Sequence, residues 1–85
     1  MAEAPEVKPH DEIMIGQWRA VVATVHGPGH VEVVWLDDKK QAINEDAIWE
    51  EDGWRFKVSG PTGGYADKYD RLTPFVQQLR RSRRG

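Results

Sequence analysis

Cysteine is absent from the 85-residue chain. This absence excludes disulfide bonds, thiol catalysis and thiolate metal ligands together. It is also typical of proteins in a reducing compartment, so we expect the protein to be cytoplasmic. Long apolar runs are missing as well, and none approaches the roughly 20 residues that a membrane-spanning helix needs. We therefore expect a soluble protein with no membrane contact.

The first eleven residues lack the apolar stretch of a secretory signal. They carry proline, glutamate, lysine and histidine instead, a composition that favours a flexible tail over residues 1–11. The remainder has room for one hydrophobic core, and we expect a single domain over residues 12–80 with a basic extension over residues 82–85. Because so small a core leaves a thin stability margin, self-association is favourable and a homo-oligomer is expected.

Charge is divided unevenly along the chain. Residues 1–70 hold seven basic and fourteen acidic side chains, whereas residues 71–85 hold five arginines and no acid. An acidic body repels the phosphate backbone of a nucleic acid, and a basic segment attracts it. Any nucleic-acid contact is therefore expected near the C-terminus. The candidate residues are Arg80, Arg81, Arg83 and Arg84.

The first half of the chain carries strand signals. Ile13–Val25 is mostly apolar, aromatic or β-branched, which predicts a strand. The glycines and proline within His26–His30 predict a turn, and the β-prone Val31–Leu36 predicts the returning strand. Asp37–Lys40 is too polar to bury and predicts another turn before Gln41–Ile43.

The second half begins with a hairpin signal. Asp52-Gly53, with apolar and aromatic residues on both sides, is typical of a type I′ turn. Trp54, Phe56 and Val58 follow at every second position and are expected to face the core, which turns the intervening charged residues to solvent.

A loop and a short helix complete the chain. Ser59–Gly64 contains three glycines and a proline, which predicts a loop. Apolar residues then recur at helical spacing after Thr73 and Pro74, which predicts a helix over residues 73–81. The expected fold is mainly β with one short C-terminal helix: a small SH3-like barrel or a strongly bent antiparallel sheet of about five strands. The order of elements resembles that of SH3-like and Tudor-like modules over residues 12–80, in architecture alone.

Four tryptophans are many for so short a chain. Trp18, Trp35 and Trp54 fit inward strand positions, whereas Trp49 precedes an acidic hairpin tip where a ring is available to a partner. We expect Trp49 to form an exposed aromatic patch with Tyr65 and Tyr69. This patch is the predicted partner-binding site.

His26 and His30 flank a turn and are candidate metal ligands. With His10 or Glu32 as a further ligand they would suit a zinc or nickel ion. The spacing matches no metal-site pattern, however, and histidines beside a turn are most often ordinary surface residues. The sequence therefore predicts neither a metal site nor a cofactor.

No arrangement of residues indicates catalysis. Ser59 and Ser82 have no histidine at a motif spacing, and the acids cluster in turns where water keeps them ionised. We therefore expect a non-catalytic protein that binds another protein or assembles with itself.

Two alternatives stay open. The C-terminal arginines favour a nucleic-acid accessory protein. A small-ligand or enzyme site formed between protomers would instead place His26, His30 or Tyr69 in a shared pocket.

Overall fold

A computed structural model of the chain describes residues 4–57 and 64–81. Several predicted features lie outside these residues: the core-facing Val58, most of the glycine-rich loop, and the arginines Arg83 and Arg84. The architecture below therefore concerns the two described ranges.

Six strands and one helix make up the described fold. The strands are β1 (Glu12–Ile15), β2 (Trp18–Gly27), β3 (His30–Leu36), β4 (Ala42–Glu50), β5 (Gly53–Phe56) and β6 (Gly64–Tyr65). Two short 3-10 turns, Ala66–Lys68 and Asp70–Leu72, lead into helix α1 (Thr73–Arg81). Within the described ranges, no helix combines the length and apolar character that a membrane span requires.

The first five strands close into a barrel. Each strand pairs antiparallel with the next, and a parallel contact between Ile15 of β1 and Trp54 of β5 completes the ring. Strand β6 pairs with the start of β4, where Tyr65 lies opposite Ile43. The prediction of a mainly β protein with a small barrel and one short C-terminal helix is confirmed.

Residues 20–23 of β2 and 31–34 of β3 are buried on both faces of the sheet, which explains their nearly continuous apolar sequence. Alternate residues of a strand point to opposite sides of the sheet. One set fills the barrel interior cluster: Ile15, Ala20, Val22, Val31, Val33, Ala47 and Trp54. The other set packs under α1 in the helix-side cluster: Val21, Ala23, Val34, Ala42, Ala66, Leu72, Val76 and Leu79. The helix is therefore part of the core rather than an appendage.

Two turns differ from their predicted positions. The predicted strand Ile13–Val25 is broken after Ile15, because Gly16 adopts a positive φ of 63° and Gly16-Gln17 joins β1 to β2. The loop between β4 and β5 is Glu51-Asp52, one residue earlier than predicted, since Glu50 pairs with Gly53. Only Glu51 has a positive φ in this loop, whereas a type I′ turn needs two such residues.

The segment before β1 contacts the barrel in its described part. The amide of His10 donates a hydrogen bond to the carbonyl of Val22 (2.8 Å), and the amide of Val22 donates to the carbonyl of Asp11 (2.8 Å). Val7 packs against the barrel interior cluster. These backbone contacts extend the pairing with β2 to the residues that precede β1.

Because α1 belongs to the core, shortening a buried side chain beneath it should destabilise the protein strongly. Leu72 is 0% exposed. We predict that Leu72→Ala lowers the free energy of unfolding by about 2–5 kcal/mol, from lost apolar burial and the cavity left behind. Urea denaturation followed by tryptophan fluorescence measures this change.

The matched control is Met14→Ala, because Met14 is 55% exposed on β1. It should change the free energy of unfolding by no more than about 0.5 kcal/mol. Equal effects of the two substitutions would contradict the placement of Leu72 in the core.

Candidate functional site

A charged side chain, Glu32, is buried on the outer face of β3 with only 6% of its surface exposed. Arg71 donates two hydrogen bonds to its carboxylate, at 2.9 and 3.0 Å, and Asn44 donates a third at 3.1 Å. The pKa of Glu32 is lowered, chiefly by the hydrogen bonds from Arg71, with Asn44 and Thr24 acting in the same direction and burial opposing them. The carboxylate therefore stays ionised in the folded protein.

Arg71 reaches this carboxylate because of its neighbour in the chain. Leu72 is buried under α1 and anchors the second 3-10 turn, so Arg71 lies against the outer face of β3. Its guanidinium also lies 5.7 Å from the ring centroid of Tyr69, within the range of a cation–π contact. Glu32, Arg71 and Tyr69 thus form a continuous chain of contacts from the buried sheet to the surface.

A second polar cluster lies where β2 turns into β3. The Nε2 atom of His30 is 3.3 Å from Asp46 Oδ2, and the Nε2 atom of His26 is 3.7 Å from Asp46 Oδ1. The two imidazole ring centroids are 4.8 Å apart. We call these three residues the histidine cluster: His26, His30 and Asp46.

The local backbone explains why these side chains meet. The pairing of β2 with β3 shifts by one residue between Val25 and Gly27, so His26 is the extra residue of a β-bulge. A bulge turns a side chain away from its regular alternation. Asp46 comes from β4, which pairs with β3 on its other side and places Asp46 opposite Glu32. Three neighbouring strands therefore each contribute one member.

The third residue of the histidine cluster differs from the two that the sequence suggested as a further metal ligand. Of the two further ligands considered there, His10 lies elsewhere, stacked on Phe75 at 4.5 Å between ring centroids and 2.7 Å from Gln78 Oε1. Glu32 is occupied by Arg71. The third member is Asp46, which sequence reasoning missed because its position depends on the register between β3 and β4.

The predicted aromatic patch is divided in the structure. Tyr65 and Tyr69 are 50% and 45% exposed and flank the first 3-10 turn. Trp49 is half-buried, packs against the barrel interior cluster and meets Trp54 edge-to-face at 5.4 Å. Tyr65 pairs with Ile43, six residues before Trp49 on β4, which is about 20 Å of strand. Trp49 is therefore separate from the two tyrosines, because β4 pairs with β5 at one end and with β6 at the other.

The other three tryptophans lie at or near the barrel interior. Trp54 is buried, and Trp35 packs against the barrel interior cluster. Trp18 contacts Trp35 at 4.9 Å between ring centroids with the ring planes tilted by 51°, and Trp35 contacts Phe56 at 5.0 Å. Trp54 thus occupies the predicted core position, whereas Trp18 and Trp35 are only half-buried.

The described part of the arginine cluster is partly paired with acid. Arg80 lies 3.6 Å from Asp67, and Arg81 is exposed at the end of α1. Arg83 and Arg84 lie outside the described residues. The described C-terminal surface is thus mixed in charge.

Comparison of the chain with protein-family models, curated protein sequences and solved structures finds no match. Function must therefore be argued from the chemistry of the surfaces described above, since a barrel of this kind does not specify an activity.

The lowered pKa of Glu32 makes stability depend on pH in a defined direction. The unfolded chain, with a carboxyl pKa near 4.5, binds a proton more readily than the folded chain. The stabilisation is therefore complete above that value and is lost as pH falls through the lower pKa of the folded state. We predict that Glu32→Gln makes the stability fall less between pH 7 and pH 3. The measurement is the change in the urea midpoint of unfolding over that pH range.

The control for this prediction is Glu50→Gln. Glu50 pairs with Arg55 at 3.3 Å, but both side chains are mostly exposed (51% and 70%), so this pair is expected to contribute little. The Glu50 variant should keep the pH profile of the unsubstituted protein. An unchanged profile in Glu32→Gln would show that its carboxylate does not govern acid stability.

Proposed function

We propose that this protein is a small, non-catalytic cytoplasmic assembly module that pairs with a second copy of itself. The observation that carries the proposal is the exposure of Tyr65 and Tyr69, at 50% and 45%, on one short segment. Tyrosine is enriched at protein interfaces because its large ring adds contact area with little conformational freedom to lose. The cytoplasmic location rests on the absence of cysteine.

Charges around the two rings favour a second copy as the partner. We define the tyrosine surface as Tyr65, Asp67, Tyr69, Arg71 and Arg80. It carries one aspartate and two arginines with exposed side chains (61%, 58% and 47%), and the exposed Asp70 adjoins it. In a two-fold dimer the same patch meets itself, so it must be complementary to itself. Arg71 is held by Glu32, whereas Arg80 is only loosely paired with Asp67 at 3.6 Å. Arg80 of one copy can therefore face an aspartate of the other.

The non-catalytic part of the proposal is supported by what surrounds the histidines. In the described ranges, His10 contacts an amide and an aromatic ring, while His26 and His30 face a carboxylate. None of these contacts pairs a histidine with a nucleophilic hydroxyl, which is the arrangement that nucleophilic catalysis uses.

Light scattering coupled to size exclusion, at low and high salt, tests the assembly. We predict a dimer at both salt concentrations, because burial of two aromatic rings persists when charges are screened. The double variant Tyr65→Ser/Tyr69→Ser should be monomeric. Each substitution is expected to weaken dimerisation about 30-fold, the factor that corresponds to a loss of about 2 kcal/mol at an interface hot spot.

Met14→Ser is the matched control, since Met14 is equally exposed but lies on β1, away from β6 in the sheet. This variant should remain dimeric. A monomeric unsubstituted protein would overturn self-association, and a dimer that survives the tyrosine double variant would overturn the assigned surface.

A further inference from the structure

The histidine cluster brings two imidazoles and one carboxylate within 4.8 Å of one another, as a metal site requires. We propose that His26, His30 and Asp46 bind one zinc ion, through the Nε2 atom of each imidazole and the carboxylate. Neutral imidazoles and carboxylates are the ordinary nitrogen and oxygen ligands of zinc. A set of two imidazoles and one carboxylate occurs in zinc sites.

Distances within the cluster suit ligands that share one ion. His30 Nε2 lies 3.3 Å from Asp46 Oδ2, a long hydrogen bond, and His26 Nε2 lies 3.7 Å from Asp46 Oδ1, beyond hydrogen-bonding distance. Ligands about 2.0–2.2 Å from a tetrahedral zinc ion are themselves roughly 3.3–3.5 Å apart. All three residues offer ligand atoms within 4.8 Å of one another. The two nitrogen-to-oxygen distances already match that separation closely, and the widest separation of 4.8 Å must shorten by more than about 1 Å when an ion binds, which rotation of the partly exposed His26 side chain allows.

The pairing of the strands places the three candidate ligands close together without an ion. Gly27 pairs with His30 across a two-residue loop in which Gly29 has a positive φ of 73°, so the turn fixes the spacing of the two histidines. The bulge at His26 and the pairing of β3 with β4 bring the third ligand alongside. Ligands on paired strands lose less freedom on binding than ligands on loops.

Three protein ligands leave a further coordination position. His26 and Asp46 expose 42% and 41% of their side chains, so water can complete the coordination shell. An ion there would link β2, β3 and β4 at one end of the barrel. Because it binds the folded chain, it would also raise thermal stability.

Isothermal titration of zinc into the untagged chain at neutral pH tests the proposal, since a polyhistidine tag would itself bind zinc. We expect one ion per chain and a rise in melting temperature. Asp46→Asn, which preserves the shape of the side chain, should weaken binding at least about 10-fold, as should His26→Gln/His30→Gln; changes in supporting residues alone cost 10–100-fold. His10→Gln is the matched control and should bind zinc with unchanged affinity. Magnesium, which prefers oxygen ligands, should not compete.

A second measurement keeps the proposal testable if a variant fails to fold. In the unsubstituted protein, nitrogen-15 spectra of the imidazoles should show zinc shifting the Nε2 resonances of His26 and His30, with Nδ1 protonated. Absence of these shifts, or zinc binding that is equal in Asp46→Asn and the unsubstituted chain, would overturn the site.

Discussion

The structure depends on one buried carboxylate, that of Glu32, which needs hydrogen-bond donors and a positive charge beside it. Glu32 is placed on β3 among valines and is nearly inaccessible to solvent, and an unpaired charge there would be strongly destabilising. Its partners come from separate parts of the chain: Asn44 on β4, Thr24 on β2, and Arg71 beyond the barrel. The pairing therefore fixes where the segment after β6 crosses the sheet, which in turn positions Tyr69 and the start of α1.

The outer face of β3 is divided between an apolar and a polar half, and this division organises both candidate surfaces. Val34 lies under α1, whereas His30 and Glu32 occupy the other end of the strand. A helix of nine residues is only about 13 Å long, so it covers part of the sheet. The uncovered part carries polar groups that pair with each other, and the histidine cluster is the outermost of these. The short helix thus leaves room for the polar chemistry.

Local patterns predicted the elements, and pairing between distant residues decided the rest. Alternation and turn residues were sufficient for the mainly β barrel and for α1, but not for every strand. Gly16-Gln17 was overlooked because strand-forming residues continue on both sides, β4 runs unbroken from Ala42 to Glu50 beyond the predicted Gln41–Ile43, and β6 was not predicted. The grouping of Trp49 with the tyrosines failed because the sequence does not show that β4 has different partners at its two ends. Asp46 required the β3–β4 register together with a bulge. One signal was available: a glutamate inside a run of valines needs a buried partner.

The charge asymmetry of the sequence is partly offset within the described residues, and this bears on the choice between protein and nucleic-acid partners. Two arginines of the described C-terminal residues contact acids of the body: Arg71 is held by Glu32, and Arg80 lies beside Asp67. A phosphate backbone would have to compete with these carboxylates for the two arginines, and it would approach a surface that carries acids as well. A surface of mixed sign repels neither itself nor a similar patch. The same contacts that weaken Arg71 and Arg80 as phosphate-binding residues leave a surface of mixed charge, which fits the proposed pairing with another copy.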